Sequence, residues 1–157
     1  MNGLSASQYA FVFAANAVGM TVASLVAARL AGRVQTRLVI LVGQIVALVA
    51  GLAMLAGAIW WGTPLYLMIA GFFALMVAQG LIITNGGALA SAEVPTHPGT
   101  TSAVLGLVQW STAGFVAPLA GIGGENTAVP MAVLVVIGAV LSLYGLLVLA
   151  RPDASRQ

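Results

Sequence analysis

The chain has 157 residues, of which 61% are hydrophobic and only 5% are charged, with a formal net charge of +2. An ordinary soluble domain carries about 25% charged residues, so this composition excludes a water-soluble globular protein. It also excludes a disordered chain, which requires low hydrophobicity and high charge. The class that remains is an integral membrane protein.

Long stretches without formal charge mark the predicted helices. A transmembrane helix needs about 20 predominantly apolar residues, and all of its backbone polar groups must be paired internally. The longest uncharged stretch is divided by an aromatic and turn-forming sequence, WWGTP at residues 60–64. The sequence therefore predicts a single all-α membrane domain spanning residues 1–157. Its five predicted transmembrane helices lie at about residues 8–30, 37–59, 64–90, 99–121 and 128–150.

With five passes, every arginine falls on the same side of the membrane. These arginines are Arg29, Arg33, Arg37, Arg151 and Arg156. The positive-inside rule makes that side cytoplasmic, so we expect the N-terminus outside and the C-terminus inside. The first ten residues lack a basic region, and no signal peptide is predicted. The expected location is the inner or plasma membrane.

Reactive side chains are scarce. The chain contains no cysteine and only one histidine, His97, so no metal site or cofactor is expected. No carboxylate lies within a predicted span, and no nucleophile–base arrangement or phosphate-binding loop is present, which predicts that the chain is not an enzyme. The few arginines are not interleaved with aromatic residues, so we expect no nucleic-acid partner.

Polar side chains are distributed unevenly among the predicted helices. The second holds only Gln44 and the fifth only Ser142, whereas the fourth is the most polar. Polar groups in a membrane face protein or water. The first, third and fourth helices are therefore predicted to be buried or to line a cavity, and the second and fifth to be lipid-facing supports. Gln44 lies nearer the cytoplasmic end of its helix, where we expect its amide to reach the interface.

Four mid-span amides have two interpretations from the sequence alone. They are Asn16, Gln79, Asn85 and Gln109. Each could form a hydrogen bond between helices, or each could line a polar cavity. Nearby aromatic side chains, Phe13, Phe72, Phe73, Trp110 and Phe115, would accept apolar compounds in such a cavity.

Two further features concern packing and helix shape. The small residues Gly43, Ala47 and Gly51 recur at four-residue spacing, which lets helices approach closely, and we expect packing within the chain rather than dimerisation. Pro118 removes a backbone donor inside the predicted fourth helix, so a kink is expected there.

Several sequence motifs resemble one transporter family. The sequence GLSASQY at residues 3–9, followed by FAANA at residues 13–17, resembles the eighth transmembrane helix of Bcr/CflA-type drug-resistance transporters of the major facilitator superfamily. The sequences NGGALA at residues 85–90 and GTTSAVLG at residues 99–106, followed by Gln109, resemble the tenth-to-eleventh-helix region of that family.

The resemblance implies a fold and a function. Such transporters have twelve helices in two halves around a cavity, and the five helices here would be helices eight to twelve, a partial C-terminal half. The implied function is part of a secondary-active, proton-antiport exporter of hydrophobic small molecules, not competent alone. The chain would form one wall of the substrate cavity, with membrane lipid and the missing N-terminal half or another membrane chain as partners. The implied substrate-binding residues are Asn16, Gln79, Asn85, Gln109, Phe13 and Trp110.

Two other hypotheses fit the sequence. The chain could be a small structural or regulatory membrane protein that oligomerises or docks on other transporters. It could also be a non-transporting remnant of a transporter gene.

Overall fold

The computed structural model describes residues 5–62, 64–122 and 127–149, and these residues form helices and their connections. All five helices are long and apolar enough to cross a membrane, which confirms the predicted fold class. The helices are α1 (Ala6–Leu30), α2 (Thr36–Trp60), α3 (Leu65–Glu93), α4 (Pro98–Ala120) and α5 (Val129–Tyr144).

The start of α1 is fixed by a capping box. The backbone N–H of Gln8 donates to the hydroxyl of Ser5 at 3.3 Å, and the backbone N–H of Ser5 donates to Oε1 of Gln8 at 2.9 Å. These two bonds satisfy donors that have no partner within the helix. Local sequence therefore determines where the first helix begins.

The packing of α1 on α3 depends on glycine, and the two helices run parallel. A Cβ at Gly19 would lie 2.7 Å from the ring of Phe73, and one at Gly80 would lie 2.9 Å from Cβ of Ala23. The residue numbers of these contacts rise together along both helices. Absence of a side chain at Gly19 and Gly80 allows the two backbones to approach closely.

The α2 helix lies between α3 and α5 and is antiparallel to both. A Cβ at Gly43 would contact the carbonyl oxygen of Ala78 in α3 at 3.1 Å, and one at Gly51 would contact Val135 in α5 at 2.9 Å. Gly43, Ala47 and Gly51 are all buried, so this stripe does pack within the chain. Small apolar residues rather than polar ones build this packed face of α2. Val42, Ile45 and Val49 on its other face are exposed, so the prediction that α2 is a lipid-facing support stays a prediction.

The α4 helix is peripheral within this chain. Each of its side chains that the structure describes is exposed or half-buried, and none of the span Gly99–Ala120 is buried. Pro118 lies in the last turn of α4, and the N–H of Gly121 donates to its carbonyl oxygen at 3.1 Å. Pro118 thus lies inside α4, close to its end, and the kink expected there stays a prediction.

The end of α5 meets the start of α2. After Tyr144 the chain continues as a five-residue π-helical turn, Gly145–Leu149, and the carbonyl oxygen of Leu146 accepts a 2.8 Å hydrogen bond from Nη2 of Arg37. We call this end of the bundle the arginine end, because Arg29, Arg33 and Arg37 lie at or between the adjoining ends of α1 and α2. The start of α2 and the end of α5 thus lie at the same end of the bundle. Arg151 and Arg156, which are also predicted on this side, lie outside the described residues.

Candidate functional site

A groove of about 490 Å³ runs between α1 and α3 on one side of their contact. We call it the α1–α3 groove. It starts at the end of the bundle opposite the arginine end, where α1 and α3 both begin. Its lining residues are Tyr9, Val12, Phe13, Asn16, Ala17, Met20, Leu65, Met68, Ile69, Phe72 and Met76. A volume of this size lies within the range of small-molecule sites, about 300–1,000 Å³.

The groove lining is apolar and aromatic, with one amide. Met20, Met68 and Met76 are three of the six methionines in the chain. Methionine side chains are flexible and polarisable and adapt to ligands of different shapes. Asn16 supplies the amide, and no carboxylate, amine or guanidinium is among the lining residues.

Asn16 is half-buried and its amide is uncommitted. Within the described residues its side chain makes no hydrogen bond. Asn16 lies ten residues after the first residue of the 25-residue helix α1, or about 15 Å along its axis at 1.5 Å per residue. The amide is therefore near the middle of the span, where water is scarce and an unpaired polar group is costly.

Hydroxyl groups in the helices are mostly occupied by backbone carbonyls. Thr84 Oγ1 donates to the carbonyl oxygen of Gly80 at 2.9 Å, within the same helix. Ser24 Oγ donates to that same oxygen from α1 at 3.2 Å and so links α1 to α3. Thr21 and Thr112 donate to carbonyls four residues earlier. Such hydroxyls serve the helices themselves rather than a ligand.

Gln44 forms hydrogen bonds between two helices. The sequence had suggested this role for Asn16, Gln79, Asn85 and Gln109 instead. Only 4% of its surface is exposed, and its Nε2 donates to the carbonyl oxygen and the hydroxyl of Ser142 in α5, at 3.0 and 2.8 Å. Its Oε1 has no partner among the described residues. The expectation that this amide reaches the interface is wrong, because packing of α5 on α2 encloses it.

The two predicted amides of α3 differ from each other. Asn85 is 5% exposed, and its Nδ2 donates to the carbonyl oxygen of Leu81 at 2.8 Å. Gln79 is exposed and makes no hydrogen bond within the described residues. Because Phe72, Met76 and Gln79 recur at four- and three-residue spacing, Gln79 continues the stripe that lines the α1–α3 groove.

Gln109 and Trp110 lie apart from the groove lining, on α4. Both are exposed, Trp110 to 76%, and the amide of Gln109 makes no hydrogen bond within the described residues. The structure thus brings Phe13 and Asn16 together in one groove and leaves Gln109 and Trp110 on an open helix surface.

Sequence reasoning missed most of the groove. It did not single out Tyr9, Val12 or any of the three methionines. The signal was present as two stripes with helical spacing, at residues 9, 13, 16 and 20 and at residues 65, 69, 72 and 76. Nothing in either stripe alone indicates that α1 and α3 are parallel neighbours.

The described residues contain no group of three histidine, cysteine or acidic residues that could hold a metal ion. The fold and the groove therefore define a multi-pass membrane protein with an apolar ligand-sized groove and one large unpacked helix.

One curated protein is similar to this chain over most of its length. It is an uncharacterized MFS-type transporter, YdgK, of Bacillus subtilis (strain 168), with 28% identity over 147 residues. The match covers 92% of this chain and 36% of the relative, so the chain spans about a third of the length of that protein. This similarity to part of an MFS-type transporter supports the interpretation of the chain as a transporter fragment. No protein-family profile matches the chain. No solved structure matches it either.

Proposed function

We propose that this chain forms one wall of the substrate cavity of a secondary-active transporter that exports hydrophobic small molecules by proton antiport. The proposal is supported mainly by the hydrogen bonding of the mid-span amides, which differs from one amide to another. The Gln44 amide in α2 donates hydrogen bonds to Ser142 in α5. In contrast, Asn16, Gln79 and Gln109 have no hydrogen-bond partner within the described residues. Uncommitted amides on α1, α3 and α4 suit a cavity that those three helices would share.

The exposure of α4 supports the proposal that this chain binds a further membrane segment. Gln109, Ser111 and Thr112 are exposed on the most polar of the five helices. Polar residues facing lipid are unfavourable, so a further membrane segment would cover this helix. We propose that the partner is the remainder of a twelve-helix transporter of the Bcr/CflA type, with α1 to α5 as helices eight to twelve.

A chimaera would test the proposal. This chain would replace the matching segment of the Bacillus subtilis relative, and the chimaera would be reconstituted in liposomes with an imposed pH gradient. Efflux of hydrophobic dyes that depends on the gradient is expected from the chimaera, and none from this chain alone, because no carboxylate lies in its spans. Gradient-driven efflux by the chain alone would overturn the proposal.

A structural or regulatory role remains the second candidate, since the same exposed α4 would serve docking on another membrane protein. The chimaera experiment distinguishes the transporter role from the docking role. A docking protein would co-purify with a complete transporter and alter its activity, and the chimaera would be inactive although folded.

A further inference from the structure

The contact between α1 and α3 has a groove on each side, and the two grooves differ in chemistry. The second, which we call the aliphatic groove, encloses about 560 Å³. It is lined by Ala15, Val18, Gly19, Val22, Ala23, Val26, Phe73, Val77 and Leu81. It contains no methionine and no polar side chain, so a lipid acyl chain can fill it without leaving a polar group unpaired.

The α1–α3 groove has features that an acyl chain does not satisfy. The Asn16 amide offers one acceptor and two donor hydrogens, and it has no partner within the described residues. An acyl chain over this amide would leave all of them unpaired in a medium without water, which is costly. A ligand group that can hydrogen-bond would remove that cost.

Other residues of the lining restrict the charge of the ligand and favour aromatic groups. A charged ligand would lie against apolar walls without a counter-charge, because no carboxylate, amine or guanidinium lines the groove. Met20, Met68 and Met76 favour aromatic rings, through contacts between sulfur and the ring. Phe13 and Phe72 add aromatic contacts of their own.

We propose that the α1–α3 groove is a self-contained binding site for an uncharged aromatic molecule that carries one hydrogen-bonding group. All of its lining residues come from two helices of this chain, so binding requires no second transporter half. Only the role of the ligand as a transport substrate rests on the proposed function. Binding is measured on the chain alone, so it can fail or succeed independently of transport.

Photolabelling with benzophenone tests this inference. Benzophenone is uncharged and aromatic, and its carbonyl can accept a hydrogen bond from the Asn16 amide. The excited ketone abstracts a hydrogen atom from a nearby C–H bond, such as the S-methyl of methionine, and the two carbon radicals combine. The full chain would be labelled in lipid nanodiscs and the adducts located by peptide mass spectrometry. Met131 in α5 and the fully buried Met54 serve as internal references.

Saturable labelling is expected at Met20, Met68 and Met76 in preference to Met54 and Met131. An anionic analogue, 4-benzoylbenzoate, should label the same methionines several-fold less. Asn16→Leu keeps a side chain of similar size but removes the hydrogen bond, and should weaken apparent affinity by about fivefold, the effect of one neutral hydrogen bond. Thr21→Val is the matched control on the same helix, because Thr21 bonds its own backbone and does not line the groove.

Ala17→Phe provides a second variant that leaves Asn16 in place. Its ring should fill the groove and abolish labelling of the three methionines. Equal, non-saturable labelling of Met131 and the groove methionines, unchanged by Ala17→Phe, would mean that the probe merely dissolves in lipid and would overturn the inference. Preferential groove labelling by a benzophenone-bearing fatty acid, with no effect of Asn16→Leu, would identify an acyl-chain site and also overturn it.

Discussion

Gly80 in α3 lies directly against Met20 in α1, so that a Cβ at position 80 would overlap the carbonyl oxygen of Met20. The carbonyl oxygen of Gly80 also accepts the hydroxyl of Ser24 from α1 at 3.2 Å. Close backbone approach and one interhelical hydrogen bond therefore meet at a single glycine. This contact determines the spacing of the two helices that form both grooves.

Gly80→Ala should destabilise the bundle by about 1–3 kcal/mol, the usual cost of overpacking. The new methyl group meets a backbone oxygen, which cannot move without shifting α1. Gly86→Ala is the matched control, because it lies in the same helix and a Cβ there meets nothing within 4 Å. Thermal unfolding of the purified chain in detergent would measure both. Equal stability of the two variants would contradict the close approach of α1 and α3.

Ser142→Ala should lower stability, because it leaves the buried amide of Gln44 with only the carbonyl oxygen at position 142 as a partner. The double variant Gln44→Leu with Ser142→Ala should recover most of the loss, since two apolar side chains replace the polar pair and the unpartnered Oε1 disappears. The coupling expected for such a pair in a membrane is on the order of 0.6 kcal/mol. Strict additivity of the single variants in thermal unfolding would argue against a direct bond.

Gln109→Ala and Asn16→Ala should leave the thermal stability and abundance of the chain unchanged, because neither amide bonds another described residue. In the transporter chimaera the same substitutions should change export per folded molecule. Gln44→Ala should show the opposite pattern, with lower abundance and unchanged export per folded molecule, since its amide is enclosed between α2 and α5. Reduced stability of the Gln109 and Asn16 variants would indicate structural rather than cavity-lining amides.

Arg37→Gln should loosen the end of α5. The guanidinium donates to the carbonyl oxygen of Leu146 in the π-helical turn, and a cation near a helix C-terminus is favourable by about 0.3–1 kcal/mol. Faster amide hydrogen exchange is therefore expected in residues 145–149. Arg33→Gln is the control, since Arg33 is exposed in the turn between α1 and α2. The same exchange rates in both variants would show that the bond has no stabilising effect.

Gln35→Cys and Ile122→Cys should be modified from opposite sides of the membrane. Gln35 precedes α2 at the arginine end, and Ile122 follows α4 at the other end. The chain has no cysteine of its own, so each variant gives a single label. The positive-inside rule predicts that an impermeant maleimide added to intact cells labels position 122 and not position 35. The reverse result would invert the predicted orientation.

The sequence by itself determined the membrane class and the number of helices in the described part of the chain. These features depend on a local property, the length of each uncharged stretch against the thickness of the bilayer. The capping box of Ser5 and Gln8 places the start of α1 at Ala6 rather than at the predicted residue 8. The positions of the arginines likewise predict one common side. Each of these inferences requires only residues close together in the chain.

Only the tertiary structure decided which helix faces pack against each other and which amide bonds another helix. Gln44 and Ser142 are 98 residues apart, so the sequence could not show that α5 encloses the Gln44 amide. Counting polar residues did not reveal the packed face of α2, because its core contacts are made by glycine and alanine through close backbone approach. The methionine-lined groove likewise required α1 and α3 to be parallel neighbours, a relationship that Gly19 and Gly80 permit but that no local pattern of residues encodes.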